Sequence, residues 1–151
     1  MRKKVYHLAT CSTNKRILKE AGIGDDFEYQ NIKEEKITPE QLKEMKELAG
    51  SYESLFSRRA RKYRLWELSK KELGEEDYKN YILEEYTFLK RPIFLVGNQL
   101  FFGSMKKSLE KLKEVLKSWI VILLYCYIVI LLNGYIAWWL NCLMAELLNT
   151  K

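Results

Sequence analysis

Residues 4–22 read KVYHLATCSTNKRILKEAG, and this stretch predicts a strand, a polar turn and a helix in succession. The apolar residues at positions 4–8 favour a short strand, and the helical spacing of apolar residues behind the turn favours a helix over residues 13–21. Cys11 lies in the turn between them. Two questions follow: whether Cys11 is a reactive thiol, and why Asn14 stands where a dithiol protein carries its second cysteine, three positions on.

The next segments predict a second strand and a set of helices. The sequence FEYQNI over residues 27–32 alternates its side chains as a strand does. Thr38 is placed to cap a helix, with Pro39 at its first position and Gln41 completing a capping box. Further helices are predicted from Ser51 and within ELGEEDYKNYILEEY, whose first turn is acidic as the helix dipole favours.

A hairpin and a final helix close the predicted domain. Residues 93–96 and 99–102 are strand-like runs separated by Gly97 and Asn98, and glycine first in a two-residue connection favours a type II′ turn. Ser104 is predicted to cap the last helix. The order β-α-β, helices, β-β-α predicts an α/β domain of about four strands. In it, a right-handed crossover makes the first two strands parallel, and a helical insertion separates the two halves.

The turn that holds Cys11 favours a reactive thiol. It faces the free N–H groups and the positive end of the helix dipole, which stabilise the thiolate. Ser12, Thr13 and Asn14 add polar groups able to line an anion pocket at the same helix end. On the local sequence alone, Cys11 fits equally the role of a small apolar residue that fills a gap. His7 is expected to be structural, because a thiol activated by the dipole needs no base.

Arg91 and Pro92 directly precede the third predicted strand. Proline suits the first position of a strand because it cannot donate to the sheet, and a cis peptide bond is compatible with that place. The arginine beside it is either a solvated surface cation or a binding residue whose guanidinium group donates two hydrogen bonds to an oxyanion. The dipeptide by itself leaves both interpretations open.

Three segments together resemble the glutaredoxin-coupled arsenate reductases (ArsC-type) and the related Spx regulators. They are YHLATCSTNKRIL at the start, ESLFSRRARKY in the middle and FLKRPIFLVGNQLFFG near the end, and the resemblance covers residues 4–117. It implies a thioredoxin-like domain over residues 1–117, with a four-stranded mixed sheet and a helical insertion. It also implies that Cys11 is the active-site nucleophile and that the peptide bond before Pro92 is cis.

In arsenate reductases of this type the cysteine thiolate attacks arsenate, three arginines hold the oxyanion, and glutathione with glutaredoxin completes the reduction. The resemblance therefore implies a thiol oxidoreductase with a single catalytic cysteine, Cys11, no bound cofactor or metal, and glutathione as co-substrate. Arg91 matches the arginine of the family's Arg-Pro motif, and Arg59 fits its middle arginine best. No arginine occupies the segment LFFGS, where the third belongs. With Arg91 and Arg59, the expected substrate-binding residues are Ser12, Thr13 and Asn14.

Two other functions stay open at this point. An Spx-like regulator would bind RNA polymerase through surface residues and catalyse nothing. A thiol oxidoreductase acting on glutathione adducts would use Cys11 without arsenate. The absence of a last-strand arginine favours the regulator. Asn14 stands in place of the second cysteine of the Spx redox switch, and this difference argues against the regulator.

The charge and the cysteine content indicate which partners and which compartment to expect. The net charge of +6 lies in residues 1–117, because the rest of the chain carries only Glu146 and Lys151. Acidic residues are interspersed among the basic ones, so no clustered basic stripe predicts direct binding of nucleic acid. The three cysteines form no disulfide framework, which fits a reducing cytoplasm.

The C-terminal tail, residues 118–151, differs in composition from the domain. Residues 119–145 carry no charge and exceed the roughly 20 residues that a helix needs to span a bilayer. Lysines precede this run, so the positive-inside rule predicts a cytoplasmic domain anchored to the inner face of the membrane by a transmembrane helix. Asn133 and Gly134 allow a second interpretation, two shorter apolar helices. A degenerate extension without a selected role is a third.

Overall fold

The structure, a computed structural model, describes residues 2–119 together with residues 121, 124, 125, 127 and 128. The chain divides into two compact units, Met1–Leu112 and Lys113–Lys151. The sheet and the helices packed on it belong to the first unit. The predicted domain boundary after residue 117 stays a prediction.

In the described part of the chain, the order of elements confirms the predicted arrangement of β-α-β, helices and β-β-α. The strands are β1 (Lys3–His7), β2 (Glu28–Asn31), β3 (Ile93–Val96) and β4 (Gln99–Phe102). The α-helices are α1 (Ser12–Ala21), α2 (Pro39–Ala49), α3 (Tyr52–Leu55), α4 (Arg61–Leu65), α5 (Glu75–Glu84) and α6, which begins at residue 106. Short 3₁₀ helices span Leu68–Lys70 and Tyr86–Phe88.

The four strands form one mixed sheet in the order β2-β1-β3-β4. β1 and β2 are parallel, whereas β3 pairs antiparallel with both β1 and β4. Of the two hairpin turn residues, Gly97 has a positive φ of 59° and Asn98 does not, which is the type II′ pattern. The four-stranded sheet, its parallel first pair of strands and its hairpin are therefore those that the sequence predicts.

One face of the sheet is covered by an aromatic cluster from the helical insertion. Tyr6 and Ile93 lie opposite each other on β1 and β3 and are fully buried against it. Phe56 stacks on Phe88 with ring centroids 5.0 Å apart. Neighbouring rings of the cluster pack at 5.0 to 6.0 Å. The rings of this aromatic cluster are Phe56, Tyr63, Trp66, Tyr78, Tyr81 and Phe88.

The opposite face packs closely on α1. Phe94 of β3 and Ile17 of α1 meet at Gly103, which follows β4 and whose N–H donates to Pro92 O at 2.8 Å. A Cβ at Gly103 would lie 2.6 Å from Pro92 Cγ and 2.9 Å from Ile17 Cγ2, distances that real Cβ atoms do not adopt. Glycine therefore lets the chain after β4 run directly beside Pro92.

A buried amide pair ties the start of α2 to β2. The side chain of Gln30 is 1% exposed, and its Nε2 donates to Gln41 Oε1 at 3.3 Å while Gln41 Nε2 donates to Gln30 Oε1 at 3.1 Å. Gln41 also completes the predicted capping box, because Gln41 Oε1 accepts from Thr38 N–H and Gln41 N–H donates to Thr38 Oγ1. The predicted cap of α2 is confirmed.

The last helix differs from the prediction at its first residue. Its first hydrogen bond runs from Leu109 N–H to Met105 O at 3.0 Å, so Met105 holds the N-cap position. Ser104 lies in the turn that brings Gly103 onto Pro92, and this turn delays the start of the helix. The predicted capping by Ser104 is therefore wrong.

In the second unit, the described residues from 113 onwards are helical. Among the described residues, no helix has the length and apolar character needed to cross a membrane. Most of the uncharged run over residues 119–145, including Asn133 and Gly134, lies outside the described residues. The predicted transmembrane helix stays a prediction.

Candidate active site

Three connections meet at one end of the sheet. Because β3 is antiparallel to both β1 and β4, the turn after β1, the entry to β3 and the turn after β4 all lie at this end. They carry Cys11, Arg91 with Pro92, and residues 103–106 respectively. The peptide bond between Arg91 and Pro92 is cis, as predicted. The topology thus brings together residues that are far apart in the sequence.

A groove of about 1290 Å³ opens at this end of the sheet. Cys11, Thr13 and Asn14 line it from the start of α1, and further residues line it from the segments before α4 and around β3 and α6. Its charged lining is mainly cationic, which favours an anionic ligand. The cations are Arg16, Arg58, Arg59, Lys90, Arg91 and Lys106, and the carboxylates are Glu20 and Glu53.

Cys11 is the N-cap residue of α1 and is partly buried in the groove. Burial alone would raise the pKa of its thiol, but the N–H groups of Asn14 and Thr13, the side-chain amide of Asn14 and the charge of Arg91 together lower it below the ordinary value of 9.0. The free N–H groups of the first helical turn thus stabilise a thiolate, as the sequence predicts for a cysteine in this position.

Asn14 is buried beneath the Cys11 turn, at 2% exposure. Its Oδ1 accepts from Leu8 N–H at 3.1 Å, and Cys11 N–H donates to Leu8 O at 3.0 Å. Both backbone groups of Leu8 are therefore bonded by the turn that follows it. The side chain of Asn14 links the end of β1 to the first turn of α1, and so holds Cys11 between them.

The cations of the groove differ in how they are held. Arg58 forms an ion pair with Glu53 at 2.6 Å, and Lys90 Nζ donates to Ser54 O at 2.6 Å. Arg91 Nη1 donates to Tyr86 O at 3.3 Å and lies near enough to Cys11 to lower its pKa. These contacts orient the side chains towards one end of the sheet.

Arg59 and Lys106 are exposed residues of the same groove. Within the part of the chain that the structure describes, neither forms an ion pair with a carboxylate. Lys106 was not among the residues that the sequence singles out, because its place in the groove depends on the turn at Gly103. Its position four residues beyond the last strand was the available signal.

Two other residues singled out by the sequence lie away from the groove lining. Ser12 is exposed on α1 and is not a lining residue, whereas its neighbour Thr13 is. His7 packs edge-on against Tyr29 with ring centroids 5.7 Å apart, and burial lowers its pKa. A neutral ring held in this way fits the structural role expected of His7.

Metal binding is the remaining question about the site. Among the described residues, no three His, Cys, Asp or Glu side chains come together as a metal ion requires. The expectation that the protein binds no cofactor stays a prediction.

Comparison with known proteins identifies relatives of the domain. A family model described as the ArsC family matches residues 6–112. No curated protein matches the sequence significantly.

Solved structures of similar fold include an arsenate reductase from Vibrio cholerae, with 19% identity and a TM-score of 0.62. A second is a protein described as related to the ArsC family from Bacteroides fragilis, with 24% identity and a TM-score of 0.62. A third is an arsenate reductase related protein from Brucella melitensis, with 20% identity and a TM-score of 0.55. Each covers 74% of this chain and 93% to 98% of its own. The likeness confirms the predicted thioredoxin-like fold.

Proposed function

This chain belongs to the ArsC family, whose model spans most of its length, and we propose that it is a thiol oxidoreductase that reduces arsenate through Cys11. The observation that carries the proposal is the position of Cys11 at a helix N-terminus, in a cation-lined groove, with its pKa lowered. An anionic substrate and a thiolate repel each other, so cations beside both are needed to bring them into contact.

The first step joins sulfur to arsenic. The Cys11 thiolate attacks the arsenic of arsenate, an S–As bond forms, and one arsenate oxygen takes up a proton and leaves as hydroxide or water. In the second step a glutathione thiolate attacks the Cys11 sulfur. The S–As bond breaks, its electron pair stays on arsenic, and arsenite leaves, so arsenic is reduced by two electrons while the two sulfurs are oxidised to a mixed disulfide.

The mixed disulfide on Cys11 requires an external thiol. Asn14 occupies the position from which a second cysteine of the motif would attack, so the turn itself supplies no resolving thiol. A second glutathione, or glutaredoxin, releases Cys11 by thiol–disulfide exchange. Glutathione is therefore a co-substrate in this proposal, and glutaredoxin is the expected protein partner.

Arg91 and Arg59 are proposed to hold the oxyanion. Arg91 lines the same groove as Cys11 and offers a planar pair of N–H donors, which matches two oxygens of a tetrahedral anion. Arg59 lines the same groove without a carboxylate partner in the described chain. Lys106 adds a third cation close to Gly103, where the segment LFFGS has no arginine. Thr13 is a further contact at the helix end.

The proposal is tested by a coupled assay of arsenate reduction with glutathione and glutaredoxin. The full chain should oxidise NADPH through glutathione reductase in an arsenate-dependent manner, and Cys11→Ser should abolish the reaction. Activity that survives in Cys11→Ser would contradict the proposal. A wild-type protein inactive with arsenate but active on a glutathionylated peptide would favour the alternative oxidoreductase.

The Spx-like regulator remains the alternative from another functional class. It requires RNA polymerase as partner and no turnover of either substrate, so the same assay separates it from both enzymes. A cytoplasmic location and a membrane anchor likewise stay predictions from the sequence.

A further inference from the structure

We propose that Asn14 is a positioning residue for the Cys11 thiolate, with its side-chain amide fixed so that the NH₂ group is presented to the sulfur. This inference rests on the proposed role of Cys11 as the nucleophile. It gives a function to the residue that replaces the second cysteine of a dithiol motif.

The orientation of the amide follows from its partner on β1. Leu8 N–H is a donor, so the atom of Asn14 that faces it at 3.1 Å must be the carbonyl oxygen Oδ1. The NH₂ group then points away from Leu8. Because Asn14 is at the third position of α1 and Cys11 is the N-cap, the side chain of Asn14 lies on the same side of the first turn as the sulfur.

Because Asn14 is buried, the orientation of its amide affects the free energy of the site. Asn14 is 2% exposed, and a buried NH₂ group without an acceptor is unfavourable by a few kcal/mol in general. A thiolate is a charged hydrogen-bond acceptor, whereas a neutral thiol is only a weak acceptor. The same amide that locks the end of β1 therefore favours the ionised sulfur, and it lowers the pKa of Cys11 together with the backbone N–H groups.

The contacts of Asn14 also explain how the turn of a single-cysteine motif is held in place. In a dithiol protein the residue at this position serves redox exchange, whereas here its amide joins Leu8 to the Cys11 turn. The thiol is then held by one side chain that forms two kinds of contact, through its oxygen to the backbone and through its nitrogen to the sulfur.

The test measures the thiol itself and needs no arsenate. The full chain is alkylated with iodoacetamide at a series of pH values, and modification of the Cys11 peptide is followed by mass spectrometry. In Asn14→Ala the midpoint of the pH profile should rise by about half a pH unit to one unit, because a donor to the thiolate is lost. An unchanged midpoint in folded Asn14→Ala would overturn the inference.

Gln30→Ala is the matched control. Gln30 is as deeply buried as Asn14 and bonds α2 through its amide, so its removal should lower the melting temperature without moving the Cys11 midpoint. A Cys11 midpoint that rises equally in Gln30→Ala would show a general effect of destabilisation and overturn the specific role of Asn14.

A second measurement covers the case in which Asn14→Ala fails to fold. In ¹⁵N-labelled wild-type protein, the side-chain NH₂ resonances of Asn14 should shift with the same midpoint as the Cys11 thiol, while those of Gln30 should stay constant. Asn14 resonances that do not titrate would refute the inference. Because none of these measurements uses arsenate, failure of the arsenate assay and failure of this inference are distinguishable.

Discussion

The aromatic cluster and the cation-lined groove lie a few residues apart in sequence and are built on opposite principles. The cluster consists of buried and half-buried rings whose neighbouring centroids lie 5.0 to 6.0 Å apart. The groove is lined by exposed or partly exposed charged side chains around one thiol. The difference indicates that the cluster supplies the stability of the domain and the groove supplies its chemistry.

Phe56 belongs to both regions. It stacks on Phe88 in the cluster and also lines the groove, and its neighbour Ser57 donates to Phe88 O at 2.6 Å. The segment that carries Arg58 and Arg59 is therefore anchored by the cluster. Substitutions away from this junction should mainly affect either stability or chemistry, and the predictions below test that separation.

The largest expected effect is on stability. Phe88→Ala removes a fully buried ring that packs on Phe56, Trp66 and Tyr81, so it should lower the free energy of unfolding by about 3–5 kcal/mol. Urea denaturation followed by tryptophan fluorescence measures the change. The Cys11 alkylation midpoint should not move under conditions in which the variant is folded.

A matched variant sharpens this prediction. Leu65 lies in the same helical insertion but is 76% exposed, so Leu65→Ala should leave the free energy of unfolding almost unchanged. A loss of stability in Phe88→Ala no larger than that in Leu65→Ala would show that the aromatic cluster is not the source of stability.

The sequence predicts the scaffold better than the groove, for a physical reason. Strands, helices, the capping box of α2 and the hairpin turn are set by local patterns, and all four are found. Cys11 and Arg91 could be assigned to the site only through the family resemblance, because a cysteine before a helix and an Arg-Pro dipeptide leave their roles open as local signals. Their meeting at one end of the sheet depends on strand order.

Residues whose surroundings arise from tertiary packing could not be predicted. Gln30 is polar but buried, since α2 supplies partners for its amide. Lys106 enters the groove because Gly103 packs on Pro92 and fixes the start of α6. Asn14 was expected as a substrate contact, and its bond to Leu8 N–H is visible only once β1 and α1 are in place.

In the groove, the largest expected effect comes from Arg91. Arg91→Lys keeps the positive charge but loses the planar pair of donors, so turnover should fall at least tenfold, or about 1.4 kcal/mol of transition-state stabilisation. Stability should change little, because Arg91 donates only to Tyr86 O among described protein groups. The arsenate assay and a urea titration measure the two quantities. Unchanged turnover would make Arg91 a surface cation.

A smaller effect is expected at the start of α6. Lys106→Ala removes a cation from the groove and should raise KM for arsenate about threefold to tenfold, with a lesser change in kcat. Lys107→Ala is the control, since Lys107 is equally exposed on the next residue and does not line the groove. Equal effects of the two substitutions would mean that net charge, and not the position of Lys106, attracts the substrate.

The smallest effect links the thiol to folding. The pKa of Cys11 is lower in the folded protein than its ordinary value of 9.0, because the helix N–H groups, the Asn14 amide and the Arg91 charge outweigh burial. The folded state therefore releases the thiol proton at lower pH than the unfolded state, and ionisation of Cys11 stabilises the fold above its unfolded pKa. This contribution is lost as pH falls through the folded pKa. The stability of wild type relative to Cys11→Ser, measured by urea denaturation, should accordingly increase between pH 6 and about 9 and then level off. Because every other titrating group is common to the two proteins, a difference that is constant across this range would show that the thiolate is not stabilised by the fold.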